Sequence, residues 1–238
     1  MKVLAIDSSG ITASAAVADD NNIIAEFTVN NRQTHSQTLL PMVDMVVKMS
    51  EIPLESFDAI AVASGPGSFT GLRIGSATAK GLGLALGKPL IPVPTLDGLA
   101  YRAACYDGII CPLMDARRNQ VYTAAYHITD GKLVNVIEQK ATGIKDILSE
   151  VNATGEKVLF LGDGADVYKD IIMEEKNMEY SFAPAHILKQ SAASVAMLGI
   201  IYYKEGRYES AAEHRPFYLR KPQAEREREE RMKGKSQL

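Results

Sequence analysis

One arrangement occurs twice in this chain and limits its fold more than any other feature. A short apolar run ends in an aspartate and is followed at once by two more strand-like runs joined by a tight polar return. In the first half the run is KVLAIDS, residues 2–8, with Asp7 near its end; residues 12–17 and 23–29 follow, joined by Asp19-Asp20-Asn21-Asn22. In the second half it is GIICPLMD, residues 108–115, ending in Asp115; residues 120–128 and 132–139 follow, joined by Asp130-Gly131. Strands linked this closely pair as an antiparallel meander, because Asp, Asn and Gly accept the backbone angles that a tight reversal needs.

Each meander leads into alternating helices and strands. In the first half the spacing predicts a helix over 36–49, with Leu39, Val43, Val46 and Val47 on one face, Ser36 or Thr38 as its cap and Pro41 kinking its start. A strand over 58–64, a helix over 72–86 stopped by Gly87 and Pro89, a strand over 89–93 and a helix over 95–104 capped by Thr95 follow. The second half repeats this in truncated form: a helix near 145–151, a strand over 157–162 and a helix near 167–175. A final helix over 191–205 ends at Gly206. A duplicated β-β-β-α-β-α unit implies two similar lobes in an α/β protein. The expected division is a first lobe over 1–106, joined by the returning helix 190–206; a truncated second lobe over 107–189; and a C-terminal segment with a polar tail over 207–238.

The charge balance narrows the function classes. The formal net charge of −3 argues against strong autonomous RNA binding, which Lys and Arg drive by displacing counterions from phosphates. Two cysteines, Cys105 and Cys111, make no disulfide framework and read as buried thiols. No apolar run reaches the roughly 18–20 residues of a membrane span, and Asp7 interrupts the first one, so a soluble, cytoplasmic protein is expected.

The glycine-rich stretch over residues 64–75, SGPGSFTGLRIG, joins a strand to a helix. Backbone N–H groups at such a junction can hold an anion. It lacks a dinucleotide-binding glycine where Thr70 stands, and it lacks the Gly-Lys-Ser/Thr ending of a P-loop. A tight turn needing glycine at positive φ is the plainer reading. Weak nucleotide or phosphate contacts there would fall to Asp7, Ser8, Ser9, Gly65, Gly67 and Arg73. In the following helix Gly71, Gly75, Ala79, Gly83 and Gly87 recur every fourth position and share a face. That face suits close approach to the chain's own sheet or to a helix of another chain.

Other catalytic signals are weak. Asp7 and Asp115 could face each other across a cleft, holding Mg²⁺ or steering a phosphate, or each could cap its own turn. Arg117 and Arg118 beside Asp115 could bind phosphate; surface charge at a strand turn is the favoured reading. His35, His127, His186 and His214 include no pair at i, i+4 spacing, and there is no Cys-x-x-Cys. Ser68 and Thr70 have no base near them in sequence, and no Gly-x-Ser-x-Gly elbow occurs.

Taken together, LAIDSS, HSQTLLP, SGPGSFTGLRIG with AKGLGLALGKPL, DARRNQVYTA and the late PFYLR resemble the TsaB (YeaZ) family over almost the whole chain. The resemblance implies the two-lobed actin-like ATPase fold, shared by sugar kinases and Hsp70 and built on duplicated ribonuclease H-like lobes. It also implies a role in putting threonylcarbamoyl on tRNA adenosine, beside the metal-bearing TsaD subunit and the small ATPase TsaE. Tightly bound cofactors are not expected, only weak ATP or ADP at a complex interface. tRNA would be met through the complex, and a homodimer would form when the chain is alone. The related TsaD carries a metal-binding His-x-x-x-His motif, and Thr95 and Leu99 stand at the matching positions here. Neither replaces histidine as a ligand, which is the reason to expect a non-catalytic subunit. By the same resemblance the partner interface is formed by His35, Ser36, Leu39, Leu40, Val43, Val46, Leu72, Gly75, Ala79 and Gly83. The alternatives are a metallopeptidase of the old glycoprotease label or a small-molecule kinase of the same fold.

Overall fold

The computed structural model describes residues 1–31 and 34–220, so the polar tail read over 223–238 lies outside the described residues. Both meanders form. β1 (Lys2–Asp7), β2 (Ala13–Asp19) and β3 (Ile23–Val29) pair antiparallel, and β4 (Ala59–Gly65) and β5 (Leu90–Pro94) extend the sheet in parallel on the other side of β1. The order is β3-β2-β1-β4-β5. In the second half β6 (Ile109–Asp115), β7 (Gln120–Thr129) and β8 (Lys132–Gly143) form the meander, while β9 (Val158–Leu161) and β10 (Tyr180–Phe182) add in parallel. The order β8-β7-β6-β9-β10 repeats that of the first sheet strand for strand. This is the expected two-lobed actin-like architecture. The second sheet is complete, because the three-residue β10, too short to show a period in sequence, supplies its fifth strand. Asp130 at φ 52° and Gly131 at φ 73° form the predicted hairpin turn.

Among the described residues seven α-helices accompany the sheets: α1 (His35–Ser50), α2 (Phe69–Leu86), α3 (Thr95–Tyr101), α4 (Ile144–Asn152), α5 (Asp163–Val167), α6 (Lys169–Met173) and α7 (Ala192–Lys204). Several ends differ from the sequence reading. The N-cap position of α1 is Thr34, with no side-chain cap, so Ser36 and Thr38 lie inside the helix. α2 begins three residues early because the Ser68 hydroxyl accepts from the Gly71 N–H, which makes Gly71 helical rather than part of the loop. α3 starts after Pro94, and Thr95 is its first residue, not its cap. The helix read near 167–175 is instead two short ones meeting at Tyr168.

Alternation along the strands assigns the faces. On the first sheet Leu4, Ile6, Ala15, Val17, Ile60 and Val62 face α1 and α2, meeting Leu39, Met42, Val43, Val46 and Ala79. Val3, Ala5, Ala16, Ala18, Ala59 and Ala61 face α7. The small side chains on that side let the helix settle close: a Cβ on Gly199 would lie 2.8 Å from that of Ala61. On the second sheet α4, α5 and α6 cover one face and α3 the other, with Leu96, Leu99 and Ala100 against Ile110, Met114, Tyr126 and Leu161. The helix that follows β5 thus covers the second sheet, and the helix that follows β10 covers the first.

The two exchanged helices meet at Asp97. Its carboxylate accepts from the Tyr126 hydroxyl (2.7 Å) and the Gln139 amide (2.7 Å) through one oxygen, and from the Tyr202 hydroxyl (2.6 Å) through the other. Burial pushes the Asp97 pKa up against the opposing pull of those donors. Burial, with the neighbouring carboxylate, also raises both tyrosines. α3, β7, β8 and α7 are pinned at one polar point inside an apolar seam.

The small-residue face of α2 is spent on the chain's own fold. A Cβ on Gly71 would fall 2.1 Å from the Ser8 carbonyl oxygen, one on Gly75 2.5 Å from the Ser8 hydroxyl, and one on Gly83 2.8 Å from the Ala211 Cβ. Gly75→Leu is therefore expected to destabilise the protein by about 1–3 kcal/mol or more through overpacking. Urea unfolding checks this; wild-type stability would contradict the packing described. Asp97→Ala is expected to cost about 3 kcal/mol, since it leaves the buried Tyr126 and Tyr202 hydroxyls without their acceptor, and Asp97→Asn markedly less, because the amide still accepts from at least one of them. Equal losses in the two variants would show that hydrogen bonding at Asp97 does not set the cost.

Candidate functional site

A hollow of about 470 Å³ lies between the lobes. Its first-lobe wall is the β1–β2 return (Ser9, Gly10, Ile11) and the glycine-rich loop with the start of α2 (Pro66, Gly67, Ser68, Phe69, Thr70). The facing wall carries Asp115, Arg117, Tyr122 and Asp163, and Tyr218, Leu219 and Arg220 cross its mouth. The two walls are related by the duplication. Gly65 (φ 121°) ends β4 and Gly162 (φ 95°) follows β9; a Cβ at either would lie 2.1 Å from a backbone oxygen, that of Phe217 or Leu113. Both positions demand glycine for conformation and for space.

The two aspartates cap their own turns. Asp7 accepts from the Ser9 N–H (2.9 Å) and the Ser9 hydroxyl (2.6 Å), lies buried beneath that return and does not line the hollow; burial raises its pKa. Asp115 does line it, accepting from the Arg117 N–H and the Tyr168 hydroxyl, both at 2.8 Å. The reading in which Asp7 and Asp115 face each other across a cleft is thus corrected. The carboxylate that joins Asp115 is Asp163, pushed up to about 6 by burial and by the Asp115 charge. Sequence reasoning missed it, although Gly162-Asp163-Gly164 occupies the place of Gly65-Pro66-Gly67 in the repeat. Tyr168 is raised to about 12 by burial and the same aspartate.

Of the phosphate-contact candidates, Ser9 and Gly67 line the hollow. Ser8 instead donates to the Gly71 carbonyl at 2.9 Å, which ties β1 to α2, and Gly65 is buried under Phe217. Arg73 lies exposed on α2 with its guanidinium 3.9 Å from the Phe69 ring centroid, beside a neighbouring hollow. At the compared metal positions, Leu99 packs in the second core and the Thr95 hydroxyl is buried without a partner. Among the described residues, no three His, Cys, Asp or Glu side chains cluster as metal ligands. No helix among them is long and apolar enough to cross a membrane.

The proposed partner residues divide. Leu39, Val43, Val46, Leu72, Gly75, Ala79 and Gly83 are buried in the first lobe and offer no side chain to another protein; this corrects their reading as interface residues. Their helical spacing marked the core-facing stripe, which is what such spacing reports. Ser36 and Leu40 are exposed, and His35 is half-buried with Nε2 2.8 Å from the Gly10 carbonyl oxygen. The outer surface of the α1–α2 pair instead carries Leu40, Met45 and Met49, exposed by 57%, 49% and 71%, and Leu84, exposed by 62%. Gly81 stands on the outer face of α2 with nothing within 4 Å of an added Cβ.

The model of a family described as "TsaD: tRNA N6-adenosine threonylcarbamoyltransferase" matches residues 22–228. The tRNA threonylcarbamoyladenosine biosynthesis protein TsaB of Bacillus subtilis (strain 168) is 32% identical over 225 residues, 94% of this chain and 96% of its own. The TsaB protein of Escherichia coli (strain K12) is 31% identical over 224 residues, 92% and 95% of the two chains. The crystal structure of a Pseudomonas aeruginosa protein described as similar to peptidase YeaZ superposes with a TM-score of 0.80 at 26% identity, over 92% of this chain and 99% of that one. Near-full-length likeness in both sequence and structure assigns the chain to the TsaB (YeaZ) family of tRNA threonylcarbamoyladenosine biosynthesis proteins.

Proposed function

We propose that the chain acts as a non-catalytic partner subunit in threonylcarbamoyl transfer to tRNA adenosine, docking on the metal-bearing TsaD subunit through the outer surface of α1 and α2. The observation that carries this reading is the set of large apolar side chains left in solvent on two adjacent helices, Leu40, Met45 and Met49 on α1 and Leu84 on α2. A glycine inside a helix costs about 0.5–1 kcal/mol relative to alanine, and Gly81 recovers none of it within this chain. Exposed apolar side chains, with a helical glycine that leaves the backbone of α2 open to close approach, suit another helix. Methionines add adaptability to such a contact. Residues 95 and 99 support the non-catalytic part: a core leucine and a buried threonine hydroxyl do not make a metal site.

In this reading TsaD supplies the metal and the transfer chemistry, TsaE joins the assembly, and the isolated chain hides its apolar face in a homodimer. No tightly held cofactor is needed; weak ATP or ADP binding would belong to the assembled interface. Leu40→Glu with Met45→Glu is expected to weaken binding to TsaD by at least about tenfold, because it buries charge without a partner. Both side chains are exposed, so thermal stability should stay near wild type. Co-purification and calorimetry read the first effect and a melting curve the second. A modification assay should show no transfer by the chain alone and transfer when TsaD and TsaE are added. Turnover by this polypeptide unaided would overturn the proposal.

A further inference from the structure

Arginines with no acidic partner among the described residues line the interlobe hollow and the hollow beside it. Arg117 and Arg220 line the first, Arg73 and Arg215 line the second, and Tyr218 belongs to both. Among the described residues the ion pairs engage other cations, and none involves Arg73, Arg117, Arg118, Arg215 or Arg220. Rings alternate with these charges. Tyr218 and Phe69 lie 4.9 Å apart between centroids, Arg73 stacks on Phe69 at 3.9 Å, and Arg220 lies 5.8 Å from the Tyr122 ring centroid.

Arg117 lies in an exposed turn in which Arg117, Arg118 and Asn119 stand at φ 62°, 56° and 56°, held by hydrogen bonds from the Gln120 N–H to the Arg117 carbonyl (3.2 Å) and from the Ile144 N–H to the Asn119 carbonyl (3.1 Å). The segment bearing Arg215, Tyr218 and Arg220 is fastened in place. Lys80 Nζ donates to the Ala212 and His214 carbonyls (3.0 Å each), and the Phe217 N–H donates to the Ser64 carbonyl (2.7 Å). Two carboxylates also line the first hollow: Asp115, which accepts two hydrogen bonds, and Asp163, raised to about 6 by burial, so phosphates are expected on the guanidinium groups and away from these side chains.

Cations converging on one point would suit a single phosphate. Cations strung out in a row, with ring faces between them, suit a strand in which phosphates and bases alternate. We propose that the band formed by Arg117, Arg220, Tyr218, Phe69, Arg73 and Arg215 binds single-stranded RNA, with phosphates on the guanidinium groups and bases stacked on the rings. The proposal deepens the partner-subunit reading, on which it rests for the source of the RNA. With a net charge of −3, binding by the chain alone should be weak and steeply salt-dependent.

Fluorescence anisotropy with the full chain tests it. The probes are a fluorescein-labelled RNA stem-loop with an unpaired loop and a fully paired duplex of the same length, at about 50 and 200 mM salt. Arg73→Ala and Arg220→Ala are each expected to weaken stem-loop binding several-fold and to flatten the salt slope by about one unit. Tyr218→Leu should weaken it about fivefold or more, and Tyr218→Phe, which keeps the ring, should bind like wild type. Lys145→Ala, on the exposed side of α4, should change nothing. Circular dichroism confirms that each variant folds. Three results would overturn the proposal: no saturable binding up to about 100 µM, equal affinity in all variants, or displacement of the RNA by ATP alone at similar concentration, which would make this a mononucleotide site. Heterodimer formation with TsaD is measured on the same variants. Retained heterodimer with lost RNA affinity supports the RNA site, whereas lost heterodimer with retained RNA affinity counts only against the docking surface.

Discussion

How closely α2 lies against the first sheet governs most of what this molecule can present. With a Cβ on Gly71 or Gly75 forbidden by the Ser8 backbone and hydroxyl, the helix start sits directly on the β1–β2 return. That approach brings the glycine-rich loop level with Ser9 and forms one wall of the interlobe hollow. It also turns Leu72, Ala79 and Gly83 inward and leaves Ala77, Gly81 and Leu84 facing out. A helix held farther away by ordinary side chains would move the wall, the hollow and the outer apolar face together.

The architecture was open to reading because it rests on patterns with short periods. Strand alternation, the Asp130-Gly131 turn and the αL stop at Gly87 are local, and each formed where the residues indicated. Helix starts were harder. A cap depends on which hydroxyl reaches which N–H, and Ser68 took that role, starting the helix at Phe69 and not at Leu72. β10 was invisible because three residues carry no period.

The site was less legible than the fold, for a related reason. Spacing along a helix marks the side that packs, so Val43, Val46 and Gly75, expected at the partner interface by resemblance, proved to be core. The residues left in solvent, Met45, Met49 and Gly81, follow no conspicuous pattern. Asp97, Asp163 and Tyr218 gain their meaning from partners dozens of residues away, such as Tyr202 for Asp97. Only the duplication offered a route to Asp163, by mapping the second glycine junction onto the first.

Exchanging the covering helices has a consequence for how the chain can be divided. A cut between the lobes, near residue 107, would leave each fragment with a five-stranded sheet bare on one face, since α3 would stay with the first fragment and α7 with the second. Neither piece owns both covers of its own sheet. Expressed apart, the halves would be prone to aggregate; expressed together, they have a built-in reason to find each other. The molecule behaves as one cooperative unit that happens to be folded twice, and evolution could vary its surfaces far more freely than it could separate its halves.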